Sequence, residues 1–364
     1  MYAVGYNEND TLGGSKLSWY SHDRLCISPG CQIADMINLP RRRSLMENKS
    51  PLLRISPEAG LALRGIAILL VLLGHTGYIV MGGAGGVALF LMLSGFGLNL
   101  SCEKSGLRFY WNKRIRKVWL PAMIVGAFNI LTMGVRSWPH RLTMLLGFDL
   151  GLNLDKTMWY VSFILVWYLV YYVLALICSP LKKSGLRRAM MLVGLVGAGF
   201  LFRRLCALGL WSPASLAIFY IWFFPLGVVL SFLSRLKVHE NLRLLFWMAL
   251  LFLSTVFMFR VYTQEASAPL ALGMAMQVLS LSQLMDFRGK VLSLLSWFGR
   301  YAYPIYLFEG TLLLLKNTWF ASFGSQLMID LVYIAVSCGF AFVFWEAAYS
   351  RLEKMLPLDK IIRF

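Results

Sequence analysis

The run LRGIAILLVLLGHTGYIVMGGAGGVALFLMLSGF, Leu63 to Phe96, decides how the rest of the chain is read. Arg64 opens an apolar segment, His75 follows within it, and a glycine-rich turn leads into a second apolar segment. The helical rise from Arg64 to His75 is about 16 Å, roughly half the hydrocarbon thickness of a bilayer. Spanning lipid requires neither a cation at one end of a helix nor a titratable imidazole deep within it. Ionisable groups inside a membrane are costly, and they mark a site or a path.

Composition sets the class. Only 14% of the 364 residues are charged and 59% are hydrophobic, with a mean hydropathy of +0.66. Soluble domains carry about 25% charge, so the chain reads as an integral membrane protein. In so apolar a chain the net charge of +18 points to loops facing anionic lipid or to an anionic substrate, not to nucleic acid. The six cysteines lack metal-ligand spacing, and no metal is expected. The first fifty residues hold no apolar core of the kind a cleaved signal peptide needs. Their Gly, Asn, Asp, Ser and Pro content predicts a poorly structured segment.

Apolar stretches of spanning length recur near 60–80, 84–100, 118–135, 159–179, 189–207, 213–234, 244–262, 267–285, 301–318 and 326–348. The expected fold is an all-α polytopic bundle of about ten transmembrane helices. With Arg64 on the cytoplasmic side, alternate loops collect twenty Lys and Arg while the opposite face receives seven. The positive-inside rule then places both termini in the cytoplasm. The expected organisation is a cytoplasmic extension over 1–57, a membrane domain over 58–348 and a cytoplasmic tail over 349–364. The largest outer connection, about Gly134 to Met158, contains Leu142–Phe148, too short to span and expected to form a partial helix at the interface. Nothing in the sequence sets an oligomeric state.

Each conspicuous residue has a plain reading beside a chemical one. Arg64 serves as a basic membrane anchor or as part of a donor site. His75 is a bundle hydrogen-bonding group, a proton relay or a general base. Gly82, Gly83, Gly85 and Gly86, and Ser94-Gly95-Phe96-Gly97, suit a tight reversal and close helix packing. Arg108 to Lys117 crowds Arg108, Lys113, Arg114, Arg116 and Lys117 beside Phe109, Tyr110 and Trp111. Such a surface holds anionic lipid, or phosphate oxygens with an aromatic stacked on a base. A membrane histidine coupled to a cytoplasmic phosphate clamp suggests group transfer from a large phosphorylated donor.

In order along the chain, these residues resemble the acyltransferase-3 family of integral membrane acyltransferases. Arg64 and His75 look like its signature pair. Gly86-Val87, Phe90 and Ser94-Gly95-Phe96 are similar to its second span. Lys113-Arg114, Arg116 and Pro121 resemble its basic loop and the proline opening the third span. Trp159-Tyr160 with Ser162, Phe224 with Gly227, and Gly299 with Tyr303-Pro304-Ile305-Tyr306-Leu307 resemble its later landmarks. The resemblance covers about residues 58 to 348. It implies an acyl-CoA-dependent O-acyltransferase of a bacterial-type cytoplasmic membrane, among membrane lipids. Such an enzyme moves an acyl group, often acetyl from acetyl-CoA, to a hydroxyl of a surface polysaccharide, a glycolipid or another lipid-linked or carbohydrate acceptor. It makes His75 the catalytic histidine and Arg64 the donor-positioning cation. Lys113, Arg114 and Arg116 become candidates for coenzyme A phosphates, and Ser94 a donor-side or oxyanion candidate.

Two departures stand out. An acidic residue often follows the tryptophan near the fourth span, and Trp159–Leu165 has none, leaving Asp149 or Asp155 as substitutes. Where a histidine commonly follows the family's tyrosine-leucine pair, this chain has Phe308-Glu309, making Glu309 a second candidate acid, base or acceptor ligand. His75 then acts through Nε2 or Nδ1, as general base toward the acceptor hydroxyl or as a transient acyl carrier. Glu309 is a candidate partner for fixing its tautomer. The reading from another class is a proton-coupled transporter or flippase-like bundle using His75 and Glu309 as a relay. It predicts flux without thioester turnover.

Overall fold

The computed structural model describes residues 49–147, 158–208, 218–262, 267–285, 288–320, 322 and 324–355. Most of the N-terminal extension, Asp149, Asp155 and Lys156, and the last residues of the tail lie outside them. Among the described residues, twelve main helices and two π-helical segments follow a short strand.

The strand β1 (Lys49–Pro51) pairs antiparallel with β2 (Lys237–His239). Residues 49–56, expected to belong to the poorly structured extension, are instead tied down. Arg54 exchanges two backbone hydrogen bonds with the Gln283 side chain, at 2.7 and 2.9 Å, and Trp247 Nε1 donates to Leu52 O at 2.7 Å. The α1 helix (Pro57–His75) starts where sequence chemistry dictates: Ser56 Oγ accepts from Ala59 N at 3.1 Å and Pro57 occupies the first turn.

The chain continues through α2 (Gly82–Ser105), α3 (Tyr110–Arg114), a π-helical turn (Ile115–Trp119), α4 (Leu120–Thr132) and α5 (Trp138–Leu146). It goes on through α6 (Trp159–Cys178), α7 (Ser184–Ala207), α8 (Phe223–Leu233), α9 (Glu240–Tyr262) and α10 (Ser267–Leu284). Last come α11 (Gly289–Trp319), α12 (Gln326–Val343) and a second π segment (Phe344–Tyr349) leading into a terminal turn of helix. Pro121 has no N–H to offer the carbonyl four residues back, and the π turn falls just before it.

Every expected apolar stretch overlaps a helix, the first residues of 213–234 lying outside the described ones. Among the described residues, seven helices are long and apolar enough to cross a membrane: Pro57–His75, Gly82–Ser105, Tyr110–Thr132, Trp159–Cys178, Ser184–Ala207, Glu240–Val261 and Gln326–Met355. Ile218–Leu233 and Ala268–Leu284 are apolar but shorter. The 31-residue α11 carries Lys290, Arg300, Glu309 and Lys316 along its length. The protein is therefore a polytopic helical membrane protein.

Glycines set the closest helix contacts. A Cβ at Gly299 would lie 1.8 Å from Leu61 O, and one at Gly65 would lie 2.0 Å from Leu295 O, so α1 and α11 touch backbone to backbone. Gly95 and Gly227 do the same for α2 and α8, where added Cβ atoms would fall 2.2 Å from Phe224 O and 2.0 Å from Met92 O. Without a hydrophobic drive between helices in lipid, such contact is how dispersion and polar pairs hold them together. One turn beyond Gly95 and Gly227, Asn99 Nδ2 donates to Ser231 Oγ at 2.8 Å, and Tyr171 O–H donates to Asn99 Oδ1 at 2.7 Å. The partial helix expected in the outer connection is α5. It folds back along α4, with Gly126 facing Met144 O and Trp119 Nε1 donating to Leu146 O at 2.7 Å.

Candidate functional site

Arg64 and His75 share α1, and the partners of each come from different helices. His75 closes the helix as its last residue, and its side chain keeps 31% of its exposure. The sequence places it deep in a span; the structure places it at a helix end, with the ring partly exposed. Glu309, on α11, is fully buried, and its Oε2 lies 2.9 Å from His75 Nδ1. Gly65 and Gly299 are as far apart in sequence as His75 and Glu309. Two helices that run the same way in contact at the glycines therefore stay in step over the ten residues to the polar pair.

A third residue completes this level. Tyr333, on α12 and fully buried, donates its phenol to the same Glu309 Oε2 at 2.8 Å. One carboxylate oxygen thus receives both groups, while Glu309 Oε1 is buried with no hydrogen-bond partner among the described residues. Two turns along α11 from Glu309, on the same face, Lys316 Nζ reaches Asp330 Oδ1 at 2.7 Å and lies 5.8 Å from the centre of the Tyr333 ring. Both ion-pair partners are buried, and Gln326 Nε2 adds a 3.0 Å bond to Asp330. Charge lost from water is compensated here by pairing and hydrogen bonds. In the turn just after His75, Tyr78 is half exposed, and partial loss of hydration together with the Asp330 carboxylate beside it raises its phenol above its ordinary pKa.

The basic end is assembled about 16 Å along the helix axis from His75. Lys117 lies within reach of the Glu353 carboxylate and of the charges of Arg64, Arg114 and Lys113. Arg64 and Lys113 have no ion-pair partner among the described residues. The other two candidates are engaged: Arg114 stacks over Tyr110 and Tyr168 at 4.8 and 5.6 Å, and Arg116 pairs with Glu353 at 3.2 Å. Tyr349 O–H also donates to the Arg116 carbonyl. Lys117, passed over as a site residue from sequence, belongs to the cluster.

Ser94 and Arg64 both stand near enough to the Tyr160 phenol to influence it. Because α1 and α2 run antiparallel, Ser94 stands at the level of Arg64, and it is Gly83 that stands at the level of His75. The structure therefore groups Ser94 with the basic end and separates it from the imidazole it was a candidate to assist as an oxyanion donor. Tyr333 also went unnoticed in the sequence, although Asp330 one turn before it, a charge inside an apolar span, was the available signal. Among the described residues no group of three His, Cys, Asp or Glu side chains is placed to hold a metal ion.

Fold and site together define a multi-pass helical membrane protein with a histidine–carboxylate pair at one level and a cationic cluster at another. The chain belongs to the acyltransferase-3 family, whose model, an acyltransferase domain, matches residues 62–346. It is thus a membrane acyltransferase, of a family whose donors are of the acyl-CoA type. No curated protein and no solved structure matches it.

Proposed function

We propose that the protein transfers an acyl group, acetyl in the simplest case, from acyl-CoA on the cytoplasmic side to a hydroxyl of a surface polysaccharide, glycolipid or related lipid-linked acceptor. The observation that carries this reading is the 2.9 Å contact of His75 Nδ1 with the buried Glu309 carboxylate. A carboxylate on Nδ1 holds the proton there, orients the ring and directs basicity to Nε2. The acceptor hydroxyl gives its proton to Nε2 as its oxygen attacks the thioester carbonyl. The carbon–sulfur bond breaks as the new ester forms, and the imidazolium returns the proton to the leaving thiolate. Glu309 stabilises the imidazolium in between.

The separation of the two levels suits such a donor. Coenzyme A carries its phosphates at one end and its thioester at the far end of an extended pantetheine arm. Arg64, Lys113 and Lys117 at the basic end would hold the phosphates while the thioester reaches His75. Arg114 and Arg116 would shape that end through their contacts with Tyr110, Tyr168 and Glu353. The reading takes ten crossings with both termini in the cytoplasm of a bacterial-type membrane, and the common directions of α1 with α11 and of α2 with α8 agree with the alternation this requires.

Purified protein supplied with acetyl-CoA and membrane glycolipid extract tests the reading. His75→Gln, which can keep a hydrogen bond to Glu309, and His75→Ala are expected to abolish thioester turnover. Turnover at the wild-type rate in both refutes the assignment.

A further inference from the structure

The glycines between α1 and α2 are not alike. A Cβ on Gly82 would meet Leu70 O at 2.7 Å, one on Gly86 would meet Ala67 O at 2.4 Å, and one on Gly85 would meet the Met274 side chain at 2.8 Å. On the facing helix, a Cβ on Gly74 would meet Gly83 N at 2.1 Å. Packing explains all four. It does not explain Gly83. A Cβ there would touch only the His75 ring, at 3.6 Å from Nε2 and 3.7 Å from Cδ2. Those are ordinary van der Waals separations, with no other described atom within reach. Gly83 is the second residue of α2, and its φ is not in the positive range that favours glycine. Neither packing nor backbone conformation asks for a glycine at this position.

We infer that Gly83 is a space-setting residue of the acyl-transfer site: its bare Cα forms the wall against which the reacting acyl and hydroxyl groups meet His75 Nε2. The inference rests on the acyl-transfer reading of His75 and deepens it, because it names where the substrate sits. A side chain at position 83 occupies the volume next to Nε2 through which the hydroxyl and the thioester carbon approach. A methyl crowds that approach, and an isopropyl group closes it. The basic end is remote, so donor capture is unaffected.

The test compares Gly83→Ala and Gly83→Val with His75→Gln and with Gly97→Ala, a control on the same helix where an added Cβ meets nothing within 4 Å. The full-length protein in lipid nanodiscs is assayed for thiol release from acetyl-CoA, and its thermal unfolding is followed. The expected result is a kcat about tenfold lower for Gly83→Ala and at least a hundredfold lower for Gly83→Val, as crowding of a near-attack geometry costs. The KM for acetyl-CoA stays within about twofold, the melting temperature of Gly83→Ala is unchanged or raised, and Gly97→Ala behaves as wild type. Wild-type kcat in both Gly83 variants alongside an inactive His75→Gln overturns the inference and leaves the acyl-transfer reading standing. So does a lowered melting temperature of Gly83→Ala, which marks a packing role. Full activity of His75→Gln overturns the reading itself, and the inference with it.

Discussion

Replacing Glu309 by Gln removes a charge while preserving shape. In the proposed reaction the imidazole becomes an imidazolium 2.9 Å from Glu309 Oε2. A Coulomb estimate at an effective dielectric of about 20 makes this attraction about 6 kcal/mol. The 31% exposure of the His75 side chain admits water and lowers that ceiling. Hydrogen bonds to charged groups contribute about 1.5–3 kcal/mol, a better guide for a pair with one partly exposed partner. At about 1.4 kcal/mol per factor of ten, kcat should fall roughly 10- to 150-fold. The KM for acetyl-CoA should hold, because the basic end lies on the other side of the glycine contact. Tyr333→Phe removes the second hydrogen bond to the same oxygen, 2.8 Å long, and should cost about tenfold. Since both residues act through one carboxylate, the double variant should be little slower than Glu309→Gln alone. Thiol release from acetyl-CoA, measured across pH in folded protein, reads all three. A Glu309→Gln enzyme within threefold of wild-type kcat, or losses that simply multiply in the double variant, would refute the reasoning.

Lys316→Met leaves Asp330 buried without its cation and should destabilise the protein by about 3–5 kcal/mol, seen as a lowered melting temperature. Lys316→Met with Asp330→Leu should recover most of that loss. Arg64→Gln, Lys113→Gln and Lys117→Gln should each raise the acetyl-CoA KM severalfold with little change in kcat, and the wild-type KM should rise with added salt. Arg116→Gln, already paired with Glu353, should raise it least; equal KM values in all four variants would remove the phosphate role from this cluster. Gly299→Val drives a side chain into the Leu61 carbonyl and should abolish monodisperse protein on size-exclusion chromatography, whereas Gly65→Ala should do so only in part.

Hydropathy alone located the helices, because a run of apolar residues in lipid has few alternatives to a helix. Arg64, His75 and Glu309 stood out for the same reason: each is a polar group set in an apolar run, where its cost demands an explanation. The three-residue strands β1 and β2 left no trace in the sequence, since they are too short to show a period and pair across about half of the chain. The π turn before Pro121 is legible only afterwards.

What no sequence pattern contains is the register between distant helices. His75 and Glu309 meet because Gly65 and Gly299 let α1 and α11 touch backbone to backbone at the same sequence separation, and helices of equal pitch running the same way then keep step. Register also moved Ser94 to the Arg64 level and brought Gly83 to the imidazole, separating a glycine that packing does not need from neighbours that packing does. The sequence by itself determined the class of protein, the helices and the residues too expensive to be idle. Only the tertiary structure decided which of them face one another, because that depends on contacts between side chains hundreds of residues apart.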